Sequence, residues 1–331
     1  MSKSTSLRSN LDLVNEADDF PIPQRNLEGW LNSRRLYYHL RVDNVESPVG
    51  IVHPKVVEAL RHISGWRLDE EGDFKSITVV GDDEASRSKV VALTFSQLRD
   101  GGGFEVLSRW RDELKPIFGP DNVVLFSVER AAASMLGIVQ YGIHLSVYSY
   151  TTGNKFPSIW ISKRSATTAN YSGMLDDTVA GGYRTGEDPH QAVVREADED
   201  ASIPAELVRA SARSCGTISY FHYLDKYVTG EKYLVQPEVE YMYEMEAPHD
   251  LVLRPNDGEV EWFQLWDVEK IKSGLADGLF KPSYALVLLD FFVRHGVLDT
   301  MTEPDYIEIC SRLRRTLEFP TRKDVAGQEE S

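Results

Sequence analysis

The sequence predicts a two-domain protein of mixed helices and strands, a small α+β unit ahead of a larger sheet-rich one, and three observations carry that reading. The 331 residues exceed the ~250–300 at which a single core stops growing. Short strand-like and helix-like segments run to about Arg130, and from Ile138 the texture changes to long apolar alternation. A hydrophobic content of 42% supplies material for packed cores.

Taken in order, residues 1–19 are expected to be disordered. They are polar, and the acidic Asn15-Glu16-Ala17-Asp18-Asp19 stands where a secretory signal would place an apolar stretch. The first domain, 20–133, opens with a short amphipathic stretch at Leu27–Leu31. Leu36–Val42 alternates as a half-buried strand, with Val45–Val52 as its hairpin partner. Pro54 enters a helix whose apolar positions are Val56, Val57, Leu60 and Ile63. A strand at Ile77–Val80 follows, then Val90–Leu93 and a helix-like Phe95–Asp100. Gly101-Gly102-Gly103 lacks the Lys-Ser/Thr of a phosphate loop and reads as a turn. Trp110–Phe118 and Val123–Val128 complete the unit, and an Ala-rich helix-like piece spans Arg130–Leu136.

The second domain, 134–318, begins with strands at Ile138–Tyr150 and Pro157–Arg164 around a Thr151–Asn154 turn. Further strands are expected at Gly216–Leu224, Tyr233–Val235, Val239–Glu246 and Glu261–Leu265, and helices at Pro282–His295 and Asp305–Leu317. The longest apolar run, Tyr284–Val293, contains Asp290 and is about half the ~20 residues of a membrane span, so it reads as a buried helix. The tail 319–331 is expected to be disordered.

Charge narrows the partners. A net charge of -16 speaks against nucleic acid or an anionic membrane as partner, and any anionic substrate must be drawn in by local cations or bound metal. Two cysteines, Cys215 and Cys310, give neither a disulfide framework nor a zinc motif, which fits a reducing compartment and a cytoplasmic location. The oligomeric state is left open.

Residues 181–203 hold the chemistry. Asp188 is a suitable N-cap, Pro189 suits the first helical position, and Gln191 stands where a capping-box partner belongs. Val193, Val194, Ala197 and Ala201 form the apolar stripe of the resulting helix, while Glu196, Glu199 and Asp200 cluster elsewhere on the wheel at i, i+3, i+4 spacing. Three carboxylates on one turn can hold a hard cation such as Mg²⁺. Spacing alone, however, is equally that of a solvated acidic face. Gly181 and Gly182 allow close backbone approach, and a carbonyl there could join a metal shell. Arg195 can orient a carboxylate by a bidentate contact.

The whole string resembles the Nudix box, G-x5-E-x7-R-E-U-x-E-E-x-G-U with U bulky and apolar. Gly181, Glu187, Arg195, Glu196, Glu199 and Ile203 fill their slots, Ala197 is a small first U, Asp200 replaces the last Glu and Ser202 the last Gly. The segments Gly137–His144, Gly173–Gly182, Pro255–Phe263 and Phe280–Phe291 extend the resemblance across 20–317, to a Nudix branch with an N-terminal domain of unassigned function, often labelled thiamin pyrophosphokinase-related. The resemblance implies an α/β fold, the Nudix α/β/α sandwich with a mixed sheet, and Mg²⁺-dependent cleavage of a small-molecule diphosphate, with Mn²⁺ as a substitute. Oxidised or damaged thiamin diphosphate, trimmed to the monophosphate, is the expected substrate. A nucleoside diphosphate derivative or an isoprenyl diphosphate is the alternative, and a catalytically weakened ligand-binding module is a second.

The implied catalytic set is Glu199, Glu196 and Arg195, with Glu199 favoured over Glu196 as base; the implied metal set is Glu196, Glu199, Asp200, Gly181 and Glu187. Glu187 is equally a helix N-terminal acid favoured by the dipole. Asp200 is one methylene shorter than the usual Glu, so reduced activity is expected before none. Thr168, Ser172 and Asp177 stand where the branch usually has Lys, Pro and Asn. Arg164 and Lys281 are candidate phosphate contacts. His144 reads as a core or cleft histidine, and core packing is the default for Trp160, Tyr183, Tyr220 and Phe280. Glu238, Glu240, Glu244 and Glu246 alternate on one strand face, which reads as solvated, with one of them reaching the metals as the alternative.

Overall fold

The computed structural model describes residues 7–225 and 227–323, so part of both ends expected to be disordered (1–6 and 324–331) lies outside the described residues. The chain divides into two compact units: Met1–Asp19 with Tyr141–Phe221 and Glu238–Thr316, and Phe20–Gln140 with His222–Pro237 and Leu317–Ser331.

The first departure from expectation comes at the start, where residues 10–17 are helical rather than disordered. Helix α1 (Asn10–Ala17) is opened by a capping box between Ser9 and Asp12 and buries Leu13, Val14 and Ala17. Three apolar residues on one face suffice when a core receives them, and a composition average over a polar segment hides that.

In the Phe20–Gln140 unit, α2 (Leu27–Leu36), β1 (Tyr38–Val42), β2 (Gly50–Val52), α3 (Pro54–Leu60), β3 (Trp66–Asp69) and β4 (Ser76–Val79) come first. The expected hairpin holds, with Tyr38 opposite Val52 and Leu40 opposite Gly50. The four strands form a mixed sheet in the order β2-β1-β4-β3, in which β1 and β4 are parallel. Next comes α4 (Glu84–Gly101), one 18-residue helix that contains both Val90–Leu93 and the helix-like Phe95–Asp100 and begins well before them. Asp83 and Ser86 cap its start and Gly102, at φ 66, ends it in the left-handed region that glycine enters without penalty. Of the apolar run inside it only Val91 is buried, joining Thr94 and Phe95 on the buried face, while Leu93 is exposed; the type of element is ambiguous for runs this short. A two-stranded ribbon, β5 (Leu114–Phe118) with β6 (Val124–Glu129), and the short α5 (Arg130–Ala133) follow.

The other unit is built on a seven-stranded sheet made of β7 (Gln140–Ser149), β8 (Ser158–Arg164), β9 (Leu175–Asp176), β10 (Val179–Gly182), β11 (Arg213–Tyr223), β12 (Val235–Glu246) and β13 (Val260–Trp266). The main path runs β11-β12-β7-β8-β13, with β10 paired to β7 and β9 to β8. The two strands expected at Tyr233–Val235 and Val239–Glu246 are replaced by the single β12, which takes Pro237 in its stride. Helices α6 (Pro189–Ala201), α7 (Ala205–Ser211), α8 (Val268–Ala276), α9 (Pro282–Arg294) and α10 (Tyr306–Arg312) complete it. Ile159, Ile161, Ile218 and Met242 of the sheet pack with Leu13 and Val14 of α1 and with the apolar length of α9 in one core. Tyr284 to Phe292 of α9 is buried throughout, and no described helix is long and apolar enough to cross a membrane. The α/β class expected from the sequence stands.

Candidate active site

The site begins as a turn. β10 runs antiparallel to β7, with Gly181 opposite Ile143 and Gly182 opposite Gly142, and then the chain turns back through Arg184–Glu187 into α6. The Glu187 amide donates to the Arg184 carbonyl at 3.2 Å, and Gly186 adopts φ 84, the left-handed value this tight turn requires. The cap forms as the sequence requires. Asp188 accepts from the Gln191 amide at 2.8 Å while the Gln191 side chain accepts from the Asp188 amide at 3.1 Å, with Pro189 in the first turn. This reciprocal cap, worth about 1 kcal/mol, starts the helix at a defined residue and so sets which side chains face the turn.

Arg195 organises the acids. Its Nε and Nη2 donate to the two Glu187 oxygens at 2.7 and 3.0 Å, and Nη1 donates to Glu196 at 2.6 Å and Glu199 at 3.0 Å. Nη2 also donates to the Gly182 carbonyl at 2.9 Å. The carbonyl engaged in this turn is therefore Gly182's, and it is engaged by a guanidinium. Burial works against the Arg195 charge, but Glu187 and Glu196 outweigh it and hold its proton more tightly than usual. Gly181 serves a different purpose: a Cβ there would overlap the Glu196 carboxylate, so the glycine is the cradle that lets this acid lie against the strand.

Asp200 stands apart from that set. Its side chain is 7% exposed and accepts from the Ala180 amide at 3.1 Å, so the shorter acid is committed to the backbone of β10. Burial raises its pKa well above the ordinary carboxylate range, and Glu196 adds to the shift. Glu196 is raised too, by burial, with Arg195 pulling it back. Glu199 remains open, its side chain 38% exposed, and has a second cation, Arg184, at 3.6 Å.

As they stand, among the described residues, no group of three or more His, Cys, Asp or Glu side chains is poised to hold an ion. The distances give the reason, since the Arg195 guanidinium occupies the space between Glu187, Glu196 and Glu199. The donor chemistry nevertheless fits a hard divalent cation. It is all carboxylate oxygen, and the four acids Glu187, Glu196, Glu199 and Asp200 outnumber the two arginines beside them.

Sequence reasoning missed one contribution to this cluster. The loop before β13 is tied to the end of α6: the Arg254 amide donates to the Ala201 carbonyl, Asn256 Nδ2 to the Asp198 carbonyl, and Ser202 Oγ to the Arg254 carbonyl. It brings Asp257 and Glu259 near enough to raise Asp200 further. Pro255-Asn256-Asp257-Gly258 signals a turn in sequence, but not that the turn folds against α6. Ser202 itself adopts φ 54, the left-handed cap that the box ordinarily gives to Gly.

Arg164 and Lys281 converge elsewhere, on the buried Asp176, at 3.1 and 3.5 Å. His144, 2% exposed, lies 3.3 Å from Asp177 and stacks on Tyr284. Burial acts to lower its pKa, but Asp177 and Glu240 outweigh burial and the net shift is upward. Tyr183, Tyr220 and Phe280 are buried, as expected of core aromatics, and Trp160 is half-buried. The glutamates of β12 correct the expectation of a solvated face. Glu240 is 5% exposed and accepts from the Tyr220 hydroxyl at 3.0 Å, and Glu244 accepts from Arg294 at 2.6 Å. Only Glu246 of the four is exposed; alternation had identified the face but not what covers it.

Comparison with known proteins matches residues 142–283 to the NUDIX domain and residues 32–140 to a domain of unknown function, DUF4743. Nudix hydrolase 20, chloroplastic, of Arabidopsis thaliana is 32% identical over 279 residues, covering 81% of this chain and 71% of that protein. Nudix hydrolase 24, chloroplastic, of the same plant is 31% identical over 272 residues, with the same coverage. An uncharacterized protein of Saccharomyces cerevisiae is 28% identical over 326 residues, covering 95% of this chain and 92% of its own length. The NUDIX match and the relatives named Nudix hydrolases define a diphosphate hydrolase. The chain belongs to the Nudix hydrolases, with the DUF4743 domain ahead of the NUDIX domain.

Proposed function

We propose that this Nudix hydrolase is a Mg²⁺-dependent diphosphatase whose substrate is a thiamin diphosphate derivative, oxidised or damaged, released as the monophosphate. The observation that carries the diphosphatase reading is the gathering of Glu196 and Glu199 over the glycine turn by a single guanidinium. Support for the thiamin-type substrate comes from the resemblance of segments across 20–317 to one Nudix branch.

Glu196, Glu199 and Asp200 are the residues that would hold the ions, and a bound divalent cation supplies charge neutralisation at nonbridging phosphate oxygens. Glu199 takes the attacking water's proton in this reading, because it is the open member of the set and a base must reach water. Arg195 is a positioning residue. It fixes Glu196 and Glu199 relative to each other and ties both to Glu187 and the Gly182 carbonyl.

The test is phosphate release with and without Mg²⁺ across oxothiamin diphosphate, thiamin diphosphate, ADP-ribose and an isoprenyl diphosphate. Highest kcat/KM on a thiamin compound is the expected result. Preference for ADP-ribose or the isoprenyl compound would overturn the substrate assignment while leaving the chemistry, and no turnover on any member would overturn both.

A further inference from the structure

The acid cluster on α6 is served by two arginines, and their situations differ. Arg195 is 18% exposed and saturated, with every terminal nitrogen donating to a carboxylate or to the Gly182 carbonyl. Turning it away would strand Glu187 and Glu196 without their counter-charge. Arg184 is 44% exposed and pairs, among the described residues, with Glu199 at 3.6 Å, its charge also reaching Glu196. Its backbone is held firmly, the amide donating to Glu187 at 3.3 Å and the carbonyl accepting from the Glu187 amide at 3.2 Å. A fixed root thus carries a long cationic side chain beside the acid most open to solvent, at a distance where the pair is weak.

We propose that Arg184 exchanges partners during binding: it neutralises Glu199 until divalent cations take over that charge, and then turns its guanidinium to the nonbridging oxygens of the substrate diphosphate. Two physical facts drive the exchange. A cation bound at Glu199 repels Arg184 and removes the charge that retained it. A diphosphate arriving on the same side offers a bidentate, charge-assisted contact, stronger than the long pair it replaces. Arg184 thereby competes with metal and assists substrate, two effects of opposite sign from one side chain. A purely structural surface arginine would produce neither. The inference rests on the diphosphatase reading for its substrate arm but not for its metal arm.

The test uses the full chain in two titrations, Mn²⁺ alone followed by the EPR signal of the unbound ion, and imidodiphosphate in saturating Mg²⁺ followed by calorimetry. Arg184→Ala is expected to bind Mn²⁺ about two- to fivefold more tightly, the range an exposed ion pair supports. It is expected to bind imidodiphosphate roughly tenfold more weakly, because a charge-assisted bidentate contact is lost. Arg184→Lys keeps the charge and loses the fork, so Mn²⁺ affinity stays near wild type while imidodiphosphate affinity falls. The half-exposed position predicts a thermal midpoint within about 2 °C of wild type. If wild type binds both probes and Arg184→Ala leaves either affinity unchanged, this inference alone is overturned. If wild type binds neither probe, the diphosphatase reading falls with it.

Discussion

The unit that carries the Nudix helix contains two carboxylate clusters, and they are compensated in different ways. On α6, one guanidinium spans Glu187, Glu196 and Glu199, a second touches Glu199 from solvent, and Asp200 rests on a backbone amide. Between the strands and α9, Asp176 has Arg164 and Lys281, Asp177 has His144 and Ser146, and Glu240 shares the Tyr220 hydroxyl with Glu238. The first cluster has an open member and too few cations, so it can take up an ion. The second is closed and balances itself by local cations and by holding protons. Acid content alone does not mark a metal site; the openness of one member and the shortage of counter-charge do.

That contrast has measurable consequences, the largest at the open cluster. Glu199→Gln removes the proposed base without changing shape, and kcat should fall about 10²- to 10⁴-fold with the circular dichroism spectrum retained. Arg195→Ala should cost stability as well as rate. Stranding partly buried glutamates removes about 3 kcal/mol, visible as a lower denaturant midpoint at unchanged m-value. Gly181→Ala comes next: the new methyl displaces the Glu196 carboxylate, costing about 1–3 kcal/mol by overpacking and lowering kcat with it.

The closed cluster should respond to pH instead. Burial, then Glu238, raises Glu240 to about 7, against ~4.3 in the unfolded chain. Between those values the folded state holds a proton that the unfolded chain has released. This contribution is therefore fully present below ~4.3 and lost as pH rises through about 7. Thermal midpoints from pH 5 to 8 should decline in wild type, and decline less steeply in Glu240→Gln. An equal slope in both would remove Glu240 from the account.

Much of the acid-bearing helix could be read from the chain because its determinants are local. The Asp188 cap, Pro189 and the apolar stripe are all within one segment, and the helical wheel grouped Glu196, Glu199 and Asp200, of which the first two share the Arg195 guanidinium. What could not be read depends on distant segments. Asp200 and Glu199 look equivalent by spacing, yet the first faces β10 and the second faces solvent, a difference set by which strand lies under which turn of the helix. The loop carrying Asp257 and Glu259 reaches α6 only through hydrogen bonds to Asp198, Ala201 and Ser202. Arg164 and Lys281, chosen as basic residues near an anionic substrate, are held by Asp176, whose burial no local pattern foretold. Helix α1 was hidden by a polar average, and of α4 only the end, Phe95–Asp100, was legible as helix.

In the proposed reading the acids of α6 form a metal-dependent diphosphatase centre with Glu199 as base. Its most direct test is phosphate release by wild type and Glu199→Gln, measured side by side in Mg²⁺ on whichever panel diphosphate wild type turns over fastest. Turnover at least about 100-fold lower in the variant with an unaltered melting curve is the expected result; equal turnover would overturn Glu199 as base.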